Sequence, residues 1–156
     1  MQILPFHIKI ITHGDLTFDF KMAEANIYNY QAIITKILKK SGPPEGRYGC
    51  TLWQGAKCNS GRYGQIRNPL KGLDHQPSTT TVHRLLFLLH NIHKFGHLLP
   101  STDEHGVVLH VSHRCHHSLC TNIHHLTLEK QPINYERNAC MTQGHCIGTH
   151  DPPCLL

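Results

Sequence analysis

Carboxylates are scarce and nowhere clustered. The chain holds ten Asp and Glu in 156 residues, and between Glu104 and Asp151 only Glu129 and Glu136 occur. That excludes a two-metal site built from grouped aspartates in the last third of the molecule. No apolar run approaches the roughly 18 residues of a membrane helix. The opening Met1–Lys9 carries neither a basic leader nor a small-residue cleavage site, so neither a membrane nor a secreted protein is expected. Charged residues at 16%, aromatics at 7% and the hydrophobic set at 39% are all modest for a globular chain. An apolar core alone is therefore a weak basis for this fold. His-Glu-x-x-His and Gly-x-Ser-x-Gly are absent, as are a phosphate-cradling Gly-rich loop and a legible Ser/His/Asp set. These absences set aside the corresponding metallopeptidases, hydrolases and nucleotide-binding enzymes.

What is abundant is histidine, 16 residues, and cysteine, 7 residues; nine of the His and five of the Cys lie between His105 and Leu156. An odd number of cysteines mixed this closely with histidines, without a secretory signal, points to zinc in a nuclear or other intracellular reducing compartment rather than to disulfides. Fifteen Lys and Arg give a formal charge of +5 with histidine neutral. That balance favours a polyanionic partner.

The length suits one domain of residues 1–156 with three parts: an N-terminal extension over 1–44, a sheet and core helix over 45–100, and a chemical segment over 101–156. Residues 1–20 alternate as two strands turning at His13-Gly14-Asp15. The spacing of Ala23, Ile27, Tyr30, Ile34, Ile37 and Leu38 predicts a helix from Met22 to Lys40, ended at Gly42-Pro43-Pro44. Residues 47–84 are Gly-rich and basic, with Arg62, Arg67, Lys71 and Arg84 interleaved with aromatics, as a twisted antiparallel sheet on a nucleic acid would need. From about Thr80 an apolar helix follows, with Leu85, Leu89 and Ile92 on one face. Val107–Ser112 and Leu126–Leu128 read as strands, and Gln131-Pro132 opens a short helix with proline in its favoured first turn.

Cys115, Cys120 and His125 recur at intervals of five in the connection between those strands. Three such ligands in a loop too polar to pack by itself fit a structural zinc site whose fourth ligand comes from elsewhere. Cys50 ranks first for it and Cys58 second, while His116, His117 and His124 compete with His125. Cys140, Cys146, His150 and Cys154 form a complete Cys₃His set in a Gly/Pro-rich tail, with His145 the alternative imidazole. Zinc held by four protein ligands is structural, so catalysis must use other groups. His113 at the end of the first strand can act as a general base, and the amide oxygen of Asn134 on the following helix can hold a hard divalent ion.

Ser112-His113-x-Cys115-x₄-Cys120-x₄-His125, then Asn134, then Arg137-Asn138-x-Cys140, resembles the His-Cys box of the intron-encoded homing endonucleases, members of the ββα-metal nucleases. The likeness is strong over residues 110–140 and loose before them, through Gly49-Cys50-Thr51-Leu52-Trp53 and Tyr63-Gly64-Gln65-Ile66. It implies an α+β, zinc-stapled ββα-metal core with few helices and an antiparallel DNA-reading sheet. It further implies His113 as the base, Asn134 as the Mg²⁺ ligand, Cys50, Cys115, Cys120 and His125 as the first zinc site, and Cys140, Cys146, His150 and Cys154 as the second. The expected activity is double-strand cleavage of DNA by a homodimer. The family's arginine at the scissile phosphate has no unambiguous counterpart; Arg67 ranks above Lys71 because a guanidinium grips phosphate through two bonds. A zinc-stapled DNA- or RNA-binding module without catalysis is the alternative, and a protein-interaction domain a more distant one.

Overall fold

The structure is a computed structural model that describes residues 29–71, 77–148 and 150–156. The chain divides into two compact units, 1–32 and 33–156, and the account below concerns the second. The strands expected within residues 1–20 and the start of the helix from Met22 lie outside the described residues. Helix α1 covers residues 29–39. It is followed by β1 (Ser41–Glu45), β2 (Cys50–Trp53), β3 (Gln65–Arg67), β4 (Thr79–Thr81), α2 (Val82–His90), α3 (Ile92–Phe95), β5 (Leu109–His113), β6 (Leu126–Lys130) and α4 (Gln131–Gln143), with a 3₁₀ turn at Ile123–His125 before β6. This is an α+β fold with few helices.

The strands pair as three two-stranded antiparallel sheets, β1–β2, β3–β4 and β5–β6, rather than as one sheet over residues 47–84. The free edge of β2 is taken from further along the chain. Leu52 bridges Cys120, Trp53 N–H donates to Leu119 C=O at 2.9 Å, and Thr121 N–H donates to Thr51 C=O at 2.7 Å. β1 itself is built from Ser41-Gly42-Pro43-Pro44-Glu45, residues that the sequence marks only as the end of a helix. Proline is tolerated there because β1 is an edge strand and its register with β2 is irregular between Ser41 and Pro44. Gly55 and Gly64 lie so close to the Trp53 indole that a Cβ on either would collide with the ring.

The core sits where α2 packs on β5, β6 and the 3₁₀ turn. Val82, Leu85, Leu86 and Leu89 are buried there with Val111 and Leu126. Truncating a fully buried leucine such as Leu86 to Ala should cost about 2–5 kcal/mol. Asn91 ends α2, so Ile92 starts a separate single turn instead of extending the apolar face. β5 pairs with β6 in unbroken register from Leu109↔Lys130 to His113↔Leu126, and α4 follows β6 without a loop, Pro132 lying in its first turn. Gly144, left-handed at φ 74°, ends α4 and releases the tail. The tail returns to the strand–strand connection, with Leu155 N–H donating to Arg114 C=O at 2.7 Å and Arg114 Nε to Pro153 C=O at 2.9 Å.

Candidate metal centres and catalytic cleft

The pairing of β2 with residues 119–121 carries Cys50 to the Cys-rich connection, and there the ligand atoms of Cys50, Cys115, Cys120 and His125 lie within 4.8 Å of one another. His125 Nδ1 is 3.6 Å from Cys50 Sγ and 3.4 Å from Cys120 Sγ. Cys58 is elsewhere, in a turn where Ser60 Oγ approaches its sulfur at 3.0 Å. His116, His117 and His124 do not join the cluster. The hydrogen bond between Cys115 and Cys120 sets the two thiols apart: Cys120 is pulled down to about 5, and Cys115 is pushed far up. Burial raises Cys50 as well. A half-buried group of three thiols around one imidazole cannot ionise completely on its own, whereas a divalent cation would stabilise every thiolate at once. The donor set therefore fits zinc.

The second cluster brings the ligand atoms of Cys140, Cys146, His150 and Cys154 within the same 4.8 Å. His150 Nε2 is 3.1 Å from Cys154 Sγ, 3.5 Å from Cys146 Sγ and 3.9 Å from Cys140 Sγ. One ring nitrogen can satisfy one of these contacts by hydrogen bonding, and three converging sulfurs on it fit tetrahedral Cys₃His binding instead. Burial pushes the Cys154 thiol up to about 12, while the Cys154 backbone N–H lowers Cys146. His145 is exposed, with its Nδ1 3.1 Å from Gln143 C=O, outside the cluster. Arg137 ties this centre to the strands. Its guanidinium, 1% exposed, holds Glu129 of β6 through Nε at 2.8 Å and Nη2 at 2.8 Å, donates to Pro152 C=O at 2.7 Å, and reaches Cys154 Sγ at 3.6 Å.

Between β5, α4 and the loop before β3 runs a cleft of about 380 Å³, adjoined by a lobe of about 220 Å³. Tyr63, His113 and Asn134 line both. His113 is the last residue of β5, and its Nε2 lies 3.2 Å from Cys120 C=O. A carbonyl only accepts, so Nε2 carries the proton and Nδ1 keeps a lone pair. The first Cys/His cluster thus orients the imidazole through the backbone of one of its own cysteines. Burial lowers His113 to about 4, and the Cys120 carbonyl opposes that shift only in part, so the ring is neutral at pH 7. It is packed by His83, with centroids 4.7 Å apart and itself held neutral by burial, and by Tyr63 at 6.4 Å and 19°. Asn134, in the first turns of α4, places its Nδ2 2.9 Å from His110 Nδ1. Among the described residues no carboxylate lines either part of the cleft, and Arg62 and Arg84 do. Arg84 is half-buried and meets no acceptor or acid among the described residues.

Arg67 lies at the end of β3 opposite Thr79, exposed and outside the cleft lining, and Lys71 is likewise exposed. The position of Arg62 follows from the turn that closes Cys58 N–H on Tyr63 C=O, a contact without a sequence pattern of its own. His83 carried no signal either, in a chain where histidine is so common. The eight-residue spacing of Glu129 and Arg137 could have suggested their pairing across the β6–α4 junction.

A family model for the zinc-binding loop region of homing endonucleases matches residues 50–156, and the chain belongs to that family. No curated protein and no solved structure matches it. Membership agrees with the two zinc-type clusters and suggests a nuclease or DNA-binding role. No helix among the described residues is long and apolar enough to cross a membrane.

Proposed function

We propose that this protein is a site-specific endonuclease that hydrolyses phosphodiester bonds in duplex DNA. The observation that carries the reading is that His113 and Asn134 line one cleft, free of carboxylates among the described residues, with His113 Nδ1 left as a base by the Nε2 contact to Cys120. His113 takes a proton at Nδ1 from the water that attacks phosphorus in line with the departing 3′ oxygen. Asn134 offers one neutral oxygen to a hard divalent ion such as Mg²⁺, which when bound supplies positive charge to the phosphate and leaving oxygen. Arg62 and Arg84 bring guanidinium charge to the same cleft and bind the strand at the scissile phosphate. Arg67 and Lys71, exposed beside β3, bind flanking phosphates or read the major groove. The two zinc clusters hold these parts in register and take no part in bond cleavage.

One such cleft cuts one strand, so double-strand cleavage calls for two copies, and a pseudo-palindromic target read by a homodimer meets that need. Nuclear DNA is the expected setting. The test is to incubate the zinc-loaded protein with Mg²⁺ and a randomised duplex library and sequence the cut ends. A recurrent cleaved site supports the reading. Retention of duplexes without cutting would make the protein a zinc-stapled nucleic-acid-binding module instead.

A further inference from the structure

We propose that His110 is a positioning residue that fixes the Asn134 amide with its oxygen toward the cleft; the functional consequence, though not the geometry, rests on the reading of Asn134 as a metal ligand. The two side chains meet nitrogen to nitrogen, Asn134 Nδ2 lying 2.9 Å from His110 Nδ1. Such a contact bonds only if one nitrogen carries hydrogen and the other a lone pair. The amide nitrogen is always a donor, so His110 must be the tautomer with its proton on Nε2. Asn134 Oδ1 is then the atom turned away from His110, and no donor reaches it among the described residues.

The opposite tautomer has the opposite result. With the proton on Nδ1, His110 would donate, the amide would rotate by half a turn to accept through Oδ1, and the cleft would face an NH₂ group. An amide oxygen attracts a hard cation, and an amide NH₂ repels it. The placement of one proton on His110 thus decides which class of ligand Asn134 can hold. The imidazole is itself held in place. His110 stands in the β5–β6 ladder opposite Glu129, α4 packs on both strands, and Tyr135 meets the ring edge-on at 6.4 Å and 74°.

The test has a direct arm and a metal-binding arm, both on the full zinc-loaded chain. Long-range ¹H–¹⁵N NMR of histidine-labelled protein, without DNA or added metal, should show His110 with hydrogen on Nε2 and an accepting Nδ1. A proton on Nδ1 overturns the proposal. For the second arm, Mn²⁺ binding to the protein–DNA complex is followed by electron paramagnetic resonance. His110→Phe keeps a ring and removes the acceptor, and should weaken Mn²⁺ by about 10–100-fold, the usual effect of losing a ligand's outer partner. His110→Asn, whose Oδ1 takes the place of the ring Nδ1, should restore most of that loss. Unchanged Mn²⁺ binding in His110→Phe overturns the proposal, as does the same loss in both variants with zinc content and circular dichroism unaltered. Should His110→Phe not fold, the tautomer and His110→Asn still decide. A wild-type complex that binds no Mn²⁺, with His110 in the Nε2–H form, would defeat the metal-ligand reading of Asn134 and leave the hydrogen bond standing.

Discussion

His110 and Glu129 are register partners across β5 and β6, and each holds a residue of α4: His110 meets Asn134, and Glu129 meets Arg137. Asn134 and Arg137 are three residues apart, neighbours on one side of the helix. The helix that presents Asn134 to the cleft is therefore clamped at two adjacent points, one on β5, which also ends in His113, and one on β6. Catalytic geometry needs such a rigid support, because small displacements of a base or a ligand cost large factors in rate.

The clamp makes a stability prediction. Arg137 and Glu129 are both buried, so removing one leaves the other charge unpaired in the interior. Glu129→Leu should lower stability by about 3–5 kcal/mol in urea denaturation of the zinc-loaded protein, and the double change Glu129→Leu with Arg137→Met should recover much of it. A single variant of wild-type stability would show that the guanidinium is satisfied by Pro152 and the second cluster alone.

The strand–strand–helix unit was legible because each cue is local. Alternation and β-branching mark β5, and Pro132 marks the start of α4. The five-residue intervals of Cys115, Cys120 and His125 were legible for the same reason. Cys50 is separated from Cys115 by 65 positions, and only the pairing of β2 with residues 119–121 settles where it lies. The Pro-containing edge strand β1 was illegible because its residues disfavour a strand by propensity, and tertiary pairing overrode that preference. Arg62 and Arg84 were visible as basic residues. Their gathering at the cleft is a product of loop closure and the β4–α2 junction, which no spacing rule encodes.

His113→Ala should slow cleavage by about 10²–10⁴ while leaving duplex affinity nearly unchanged, since in the proposed mechanism the imidazole moves a proton, and it bears no charge in the resting site. Single-turnover cleavage and filter binding separate the two quantities. Cleavage at the wild-type rate would remove His113 from the mechanism.

Binding should weaken steeply with salt, because phosphate neutralisation by Arg and Lys releases condensed counterions. Replacing Arg67 or Lys71 with Ala should reduce the slope of log affinity against log salt by about one each and leave the cleavage step intact. Replacing Arg62 or Arg84 should slow the cleavage step as well, since both line the cleft. An effect of Arg67→Ala on cleavage alone would instead return it to the scissile phosphate.

Elemental analysis should find zinc at two equivalents per chain, one for each Cys/His cluster. Cys120→Ser and Cys146→Ser should each lose one equivalent and become sensitive to protease, because metal binding at a closed site is coupled to folding. Cys58→Ser should keep its zinc in full, as its sulfur is hydrogen-bonded apart from both clusters. Loss of zinc in that variant would contradict the first ligand set.

The two kinds of metal should separate kinetically. Thiolate-rich, closed sites release their ion slowly, whereas a site with one protein oxygen must complete its shell with phosphate and water and exchanges freely. Brief EDTA treatment should therefore stop cleavage with circular dichroism and zinc content unchanged, and prolonged chelation should unfold the chain. Activity should return with Mg²⁺, and with Mn²⁺ or Ca²⁺ too, because an open oxygen site discriminates poorly among hard ions. Asn134→Ala removes the only cleft oxygen assigned to that ion, so it should stay folded with both zinc sites filled and remain inactive under all three. Normal cutting by Asn134→Ala would show that the ion of the cleavage step is not held by Asn134, and recovery of the briefly chelated protein with zinc alone would show that the labile site does not require a hard ion.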